Sequence, residues 1–143
     1  MKKDYFSQPS PAVTLHRSLF ILQQKADELL AHETEVGLSQ VRILSQLHLA
    51  VPRSQKTVAT MLYQTEANIS RQLQIMKKQG LVNIGRHRKD RRIREVTLTQ
   101  KGVKTYQKAE KVLENHYHQL EKMWGKSQSK DFVKNLKQLN KIF

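Results

Sequence analysis

The stretch from Leu81 to Leu98 leaves few folds open. Two short apolar pieces, Leu81-Val82-Asn83-Ile84 and Val96-Thr97-Leu98, bracket the run Arg86-His87-Arg88-Lys89-Asp90-Arg91-Arg92-Ile93-Arg94. Arg86, Arg88, Lys89, Arg91, Arg92 and Arg94 are permanently cationic, and Asp90 is the one acid. The pattern predicts a β-hairpin whose tip is a cluster of guanidinium groups. Such a tip repels itself unless a polyanion lies against it, and a nucleic-acid duplex is the obvious candidate. Taken alone, the run also fits a solvated charged loop. The residues upstream bear on that choice.

Charge is distributed unevenly. Residues 1–50 carry five Lys/Arg and five Asp/Glu; residues 51–94 carry eleven against two; residues 95–143 carry ten against five. Most of the net charge of +14 therefore sits in the middle third, which marks that third as the electrostatic footprint. A chain of 143 residues is one domain, or one domain with extended flanking helices. It has no cysteine, which excludes disulfides, thiolate zinc sites and thiol redox sensing. Met1-Lys2-Lys3-Asp4-Tyr5 leads into no apolar stretch, and every apolar run falls far short of a membrane span. The expectation is a cytoplasmic protein that does not enter a membrane.

Residues 1–12, with Pro9, Ser10 and Pro11, read as a loose arm. From about Val13 to Ala31, Leu15, Leu19, Leu22, Ala26, Leu29 and Leu30 recur at helical spacing, and Phe20 and Ile21 widen the stripe to two sides. After Gly37, Ser39 is the expected N-cap of a helix from Gln40 to about Ala50, which Pro52 ends. Ser54 is expected to cap a short helix Gln55–Leu62. Tyr63-Gln64-Thr65 makes a turn, and Thr65 caps a helix to Gln79 in which Ile69, Leu73 and Met76 form one inward stripe. Gly80 closes it as a C′ residue. Thr99 caps a long helix from Gln100 to about Trp124, with Gly102 in the first turn, where a glycine costs least. Residues 125–129 read as a break before a last helix, about Lys130 to Ile142.

Residues 55–79 thus form two helices joined by a tight turn, with Ala59 small enough for the second to cross the first. That is helix-turn-helix geometry. The inward stripe leaves Glu66, Ala67, Asn68, Ser70, Arg71, Gln72 and Gln74 outside or partly outside. These are types that read bases: Arg forks onto guanine, Asn and Gln onto adenine, and Ala touches a thymine methyl. A plain helical hairpin in a bundle fits residues 55–79 equally well in isolation. The pair and the basic hairpin side by side point to a DNA-binding winged helix.

Several segments together resemble the MarR family of bacterial winged-helix transcription regulators. They are Thr57-Val58-Ala59, Thr65-Glu66-Ala67-Asn68-Ile69-Ser70-Arg71, Lys77-Lys78-Gln79-Gly80-Leu81-Val82, Asp90-Arg91-Arg92 and Leu98-Thr99-Gln100-Lys101-Gly102. The Asp-x-Arg followed by Leu-Thr-x-x-Gly is the specific part, and the resemblance runs from about residue 13 to the end. It departs from the usual pattern in the arginine richness of the wing and in Met76-Lys77-Lys78-Gln79. The fold class that follows is mainly α: a winged helix-turn-helix core at residues 38–98, of three helices and a two-stranded wing. Long dimerisation helices flank it at residues 13–36 and 99–143, all within a single domain.

The resemblance implies an obligate homodimer on palindromic promoter DNA, with recognition helices in successive major grooves and wing tips in the flanking minor groove. Asp90 would buttress the wing and Arg92 would reach the minor groove. Arg88, Lys89, Arg91, Lys77 and Lys78 are expected to contact phosphate, with neutral hydrogen bonds from Ser54 and Thr65, and Arg86 is counted with them among the DNA-binding residues. Ala67, Asn68, Ser70, Arg71, Gln72 and Gln74 make up the base-reading face. A dimer also follows from Tyr106, Tyr117, Trp124, Phe132 and Phe143, more apolar surface than one small domain covers.

The resemblance further suggests a repressor released by a small, often aromatic, ligand. Tyr5, His16 and Phe20 are the candidates for its pocket. No Gly-rich phosphate loop, Ser/His/Asp set or paired carboxylates point to an enzyme. No cofactor or metal is expected: His116 and His118 are two apart on a helix and face different ways, and His32, Glu33 and Glu35 sit at a helix end. The alternative function is a non-specific architectural DNA- or RNA-binding protein, which shares the charge but needs neither the dimer helices nor the Asn/Gln/Arg face.

Overall fold

A computed structural model describes residues 10–48 and 51–141. The elements in chain order are α1 (Pro11–Glu33), α2 (Leu38–Leu47), β1 (Arg53–Ser54), α3 (Gln55–Met61), α4 (Glu66–Lys78), β2 (Val82–Arg86), β3 (Arg94–Leu98), α5 (Gln100–Met123) and α6 (Lys126–Leu139). The predicted mainly helical, winged helix-turn-helix architecture is the one observed.

The core lies where α2, α3, α4 and the sheet meet the C-terminal part of α1 and the N-terminal half of α5. Leu30, Ile43, Leu44, Val58, Ile69, Leu73, Met76, Leu81, Val82 and Val96 fill it. The α4 stripe of Ile69, Leu73 and Met76 is wholly buried, as its i, i+4, i+7 spacing requires. Three caps stand where the sequence placed them. Ser54 Oγ accepts from the Thr57 amide, Thr65 Oγ1 from the Asn68 amide, and Thr99 Oγ1 from the Gly102 amide.

Several boundaries differ from expectation. Pro11 belongs to the first turn of α1, where its missing N–H costs nothing, and the Ser10 hydroxyl accepts from the Val13 amide at 3.2 Å. Helical structure therefore begins inside the segment expected to be a loose arm; residues 1–9 lie outside those described. Ser39 is not the cap of α2. The helix starts earlier, at the buried Leu38 with Gly37 as its N-cap, and Asp27 Oδ1 of α1 accepts from the Leu38 amide at 2.6 Å. That helix ends at Leu47, with residues 49–50 outside those described. The expected break at residues 125–129 shrinks to Gly125, because α6 starts at Lys126. Ile142 and Phe143 fall outside the described residues.

The sheet has three strands rather than two. Its order is β1-β3-β2, wholly antiparallel, with Arg53 opposite Val96 and Ser54 opposite Glu95. A two-residue strand has no alternation to reveal it. The wing strands also run further than expected, taking in Arg86 and Arg94, which stand directly opposite each other.

Two helix ends fix how α4 is set. After α3 the chain turns through Tyr63 at φ 54°, with the Tyr63 amide donating to the Thr60 carbonyl and the Gln64 amide to the Ala59 carbonyl. After α4 the same motif recurs with Gly80 at φ 74°: the Gly80 amide donates to Lys77 and the Leu81 amide to Met76. Glycine takes the second position without strain; tyrosine takes the first at a cost of about 1–2 kcal/mol.

The start of α5 is bolted to that second turn. Thr99 Oγ1 donates to the Gly80 carbonyl at 2.6 Å, and the Thr99 amide to the Leu81 carbonyl at 3.0 Å. Lys101 Nζ donates to the Gln79 carbonyl at 2.9 Å. Gly102 lies so close to Leu81 that any Cβ there would collide with the Leu81 carbonyl oxygen. The Leu-Thr-x-x-Gly segment is thus the joint between the α4–wing unit and the long helix.

Candidate nucleic-acid interface

Three pieces of backbone carry the residues singled out above. On α4, Glu66, Ala67, Arg71, Gln74 and Lys77 are exposed, while Asn68, Ser70 and Gln72 are half-buried. The outward face is therefore the polar set opposite the Ile69–Leu73–Met76 stripe. Asn68 is not free to swing: its Nδ2 donates to Gln64 Oε1 at 2.8 Å, one turn back. Ser54 and Thr65 both spend their acceptor oxygens on helix caps, Ser54 also sharing a 2.8 Å bond with Thr57 Oγ1.

Arg86, Arg88, Lys89, Arg91 and Arg92 are exposed on the wing. The cross-strand pair Arg86–Arg94 sets two like charges opposite each other, an arrangement that costs stability in a lone hairpin. The tip, residues 87–93, is closed by the His87 amide donating to the Ile93 carbonyl at 2.9 Å and the Ile93 amide to the Asp90 carbonyl at 3.0 Å. Asp90 is the organiser of its second half. Its Oδ1 accepts from the Arg92 amide at 3.0 Å and from Arg92 Nε at 3.2 Å, and its Oδ2 from Arg92 Nη2 at 3.3 Å. The Arg92 guanidinium beside it, and the Arg92 amide, hold the Asp90 carboxyl below the usual carboxylate range. Arg92 is fixed at its base yet 92% exposed along its side chain.

Sequence reasoning missed three contributors. Pairing of β1 with β3 places Arg53 beside the wing, where its Nη1 reaches the Met61 sulfur at 3.3 Å. Tyr63, read only as a turn residue, is 98% exposed in its left-handed conformation. His87 is hidden among the arginines by their charge, and a ring beside an Asp-x-Arg turn is the available signal. Tyr106, counted in the sequence among the surplus apolar groups, belongs instead to the core, its hydroxyl donating to Glu110 Oε1 at 3.0 Å. Burial and that carboxylate together push the Tyr106 phenol upward from its ordinary value.

Away from the wing, the N-terminal half of α1 and all of α6 pack loosely. Leu19, Phe20 and Ile21 on α1 and Phe132, Val133 and Leu139 on α6 are exposed, and α6 buries no residue. Between these helices runs an apolar groove of about 620 Å³ lined by Leu15, Leu19, Leu22, Trp124, Phe132 and Leu136. A second cleft of about 730 Å³ lies between α2 and α5, among Arg42, Ser45, Tyr106, Glu110, Leu113 and Tyr117. His16 and Phe20 are not in that lining, and Tyr5 lies outside the described residues. Among the described residues no three His, Asp or Glu side chains converge as metal ligands, and no helix is long and apolar enough to cross a membrane.

Residues 35–93 match the model of the MarR family. No curated protein matches the chain. Solved structures do. The DNA complex of MepR from Staphylococcus aureus superposes with a TM-score of 0.85 at 17% identity, covering 95% of this chain and 100% of that one. The transcriptional repressor CouR bound to a 23-mer DNA duplex gives 0.85 at 23% identity, with 98% of each chain covered. A mutant MarR from E. coli complexed with operator DNA gives 0.78 at 20% identity, covering 96% and 99%. The match to the MarR family model in the middle of the chain and the fold match along nearly all of it coincide on one architecture, the winged helix-turn-helix with long flanking helices that these solved structures share.

Proposed function

We propose that this chain is a sequence-specific transcriptional regulator that binds palindromic promoter DNA as a homodimer in the cytoplasm, a repressor released by a small ligand and not an enzyme. The observation that carries the reading is the pairing of two surfaces. The polar outer face of α4 stands over a fully buried stripe, and beside it the wing places Arg86 against Arg94 with four further cations at its tip. A hairpin with that much unbalanced charge is stabilised by a polyanion. A helix face of Arg, Asn and Gln is what reads base edges in a major groove. MepR, CouR and MarR, which share the fold, were each solved with DNA.

In this reading Asn68, Ser70, Arg71 and Gln72 contact bases, with Ala67 and Gln74 flanking them. Arg86, Arg88, Lys89, Arg91, Lys77 and Lys78 meet phosphates, with Ser54 and Thr65 beside them. Arg92, held by Asp90, enters the minor groove and reads its width. The uncovered apolar residues of α1 and α6 support a two-fold dimer, whose symmetry matches a palindrome. The α2–α5 cleft, mixed in polarity and of ligand size, supports the released-repressor reading.

Selection of duplexes from a random pool, followed by competition with random duplex, tests the function. Enrichment of one palindromic sequence that random DNA displaces poorly is the expected result. Equal competition by random duplex or by RNA would replace the reading with a non-specific architectural protein.

A further inference from the structure

The first half of the wing tip is organised by a side chain that none of the foregoing roles uses. His87 Nδ1 accepts from the Lys89 amide at 3.2 Å and from the Asp90 amide at 3.1 Å. Both donors are main-chain N–H groups, so the direction of these bonds is not in question. An imidazole nitrogen that accepts carries no proton. The ring is therefore neutral with its proton on Nε2, and that nitrogen faces the Glu95 carboxylate of β3 at 3.6 Å.

The tip is then held by two successive caps. His87 gathers the amides of residues 89 and 90, and the Asp90 carboxylate gathers the amide and guanidinium of Arg92. Without them Arg88, Lys89, Arg91 and Arg92 sit on a loop whose charges push it open. We infer that His87 is a positioning residue of the wing: its neutral ring sets the turn that presents those four cations, and protonation of the ring releases it. A protonated Nδ1 would point a third N–H at two others, so both bonds would be lost together.

The charged groups around the ring act in both directions. Glu95 on β3 and Asp90 in the tip attract an imidazolium; Arg86 on β2, and Arg88 and Arg91, which share a concavity with His87, repel it. Neither carboxylate restores an acceptor to the Lys89 and Asp90 amides, because Asp90 is already committed to Arg92. The geometric role survives either balance.

The inference rests on the DNA-binding reading only for its effect on affinity, so the experiment has two arms. In the full-length protein without DNA, nitrogen-15 spectra of the His87 ring report the tautomer, and protection of the Lys89 and Asp90 amides reports the turn. These are read at about pH 7.5 and about pH 5.5, on either side of ordinary histidine titration. Expected is a neutral Nε2–H ring at the higher pH and loss of both protections at the lower. His87→Asn offers an oxygen acceptor at nearly the same place and does not titrate. It should keep both amides protected at both pH values, and His87→Ala at neither.

In the second arm, affinity for a selected duplex should be about twofold or less changed by His87→Asn at the higher pH and roughly fivefold or more weakened by His87→Ala. Acidification should weaken the wild type about fivefold or more relative to His87→Asn, the remaining histidines being common to both. An Nδ1–H tautomer, or amides equally protected in His87→Ala, overturns the inference whatever the DNA result. So does a wild type whose affinity rises on acidification relative to His87→Asn, which would make the ring a simple phosphate contact. If no duplex binds any form, the DNA-binding reading falls while the spectra still judge the wing cap.

Discussion

Substituting Gly102 by alanine tests how α4 and the wing are joined to the long helix. The new methyl would lie 3.0 Å from the Leu81 carbonyl carbon and closer still to its oxygen. Ordinary contact between carbon atoms is about 3.5–4.0 Å. Neither side can yield by a side-chain rotation, because the obstacle is backbone on a turn between α4 and β2. The start of α5 must back away, and that strains the bolts: Thr99 Oγ1 to Gly80, the Thr99 amide to Leu81, and Lys101 Nζ to Gln79. Three bonds at about 0.5–1.5 kcal/mol each, less about 0.5–1 kcal/mol that alanine gains over glycine within a helix, leave a net loss of about 2 kcal/mol. With an unfolding slope of about 2 kcal/mol/M in urea, the midpoint should fall by about 1 M at fixed protein concentration. Gly85→Ala is the control. It sits mid-strand with nothing near its would-be Cβ, so its midpoint should rise slightly. A Gly102→Ala protein with an unchanged or higher midpoint and an unchanged slope would refute the close approach and the role assigned to the joint.

Other outcomes follow from the same geometry. Arg71→Ala should cost about 1–3 kcal/mol per half-site and relax sequence choice, whereas Lys89→Ala should weaken all duplexes alike and reduce the salt slope by about 0.9 per protomer, about 1.8 for a dimer. A binding isotherm series over salt separates the two, and an unchanged specific-to-random ratio for Arg71→Ala would remove α4 from the recognition role. Tyr63→Gly should stabilise the fold by roughly 0.5–1 kcal/mol in urea titration, since it relieves a left-handed residue whose side chain packs on nothing. Asp90 titrates below its ordinary value, so the wing order it supplies is present above pH 3.8 and is lost as pH falls through its lowered value. Asp90→Asn should therefore free Arg92 and weaken duplex binding at neutral pH, as measured by fluorescence anisotropy. Phe20→Glu, placed among the exposed apolar residues of α1, should convert a dimer to monomer in light scattering; an unchanged mass would move the interface elsewhere.

What the residues alone determined is what local chemistry can determine. The caps at Ser54, Thr65 and Thr99 act within three residues, and the Ile69–Leu73–Met76 stripe follows from helical period. The charge of the wing is plain from composition. Tertiary structure decided whatever joins residues distant along the chain. The Arg53–Ser54 strand forms because β3 offers it an edge, α2 is capped by Asp27 because α1 passes its end, and Gly102 is required because Leu81 lies against it. The His87 cap is as local as those helix caps, with partners two and three residues on, but it sits in an irregular turn with no periodic pattern to mark it. Periodicity and capping are read over a few residues, whereas the meeting of two backbones depends on how the whole core packs.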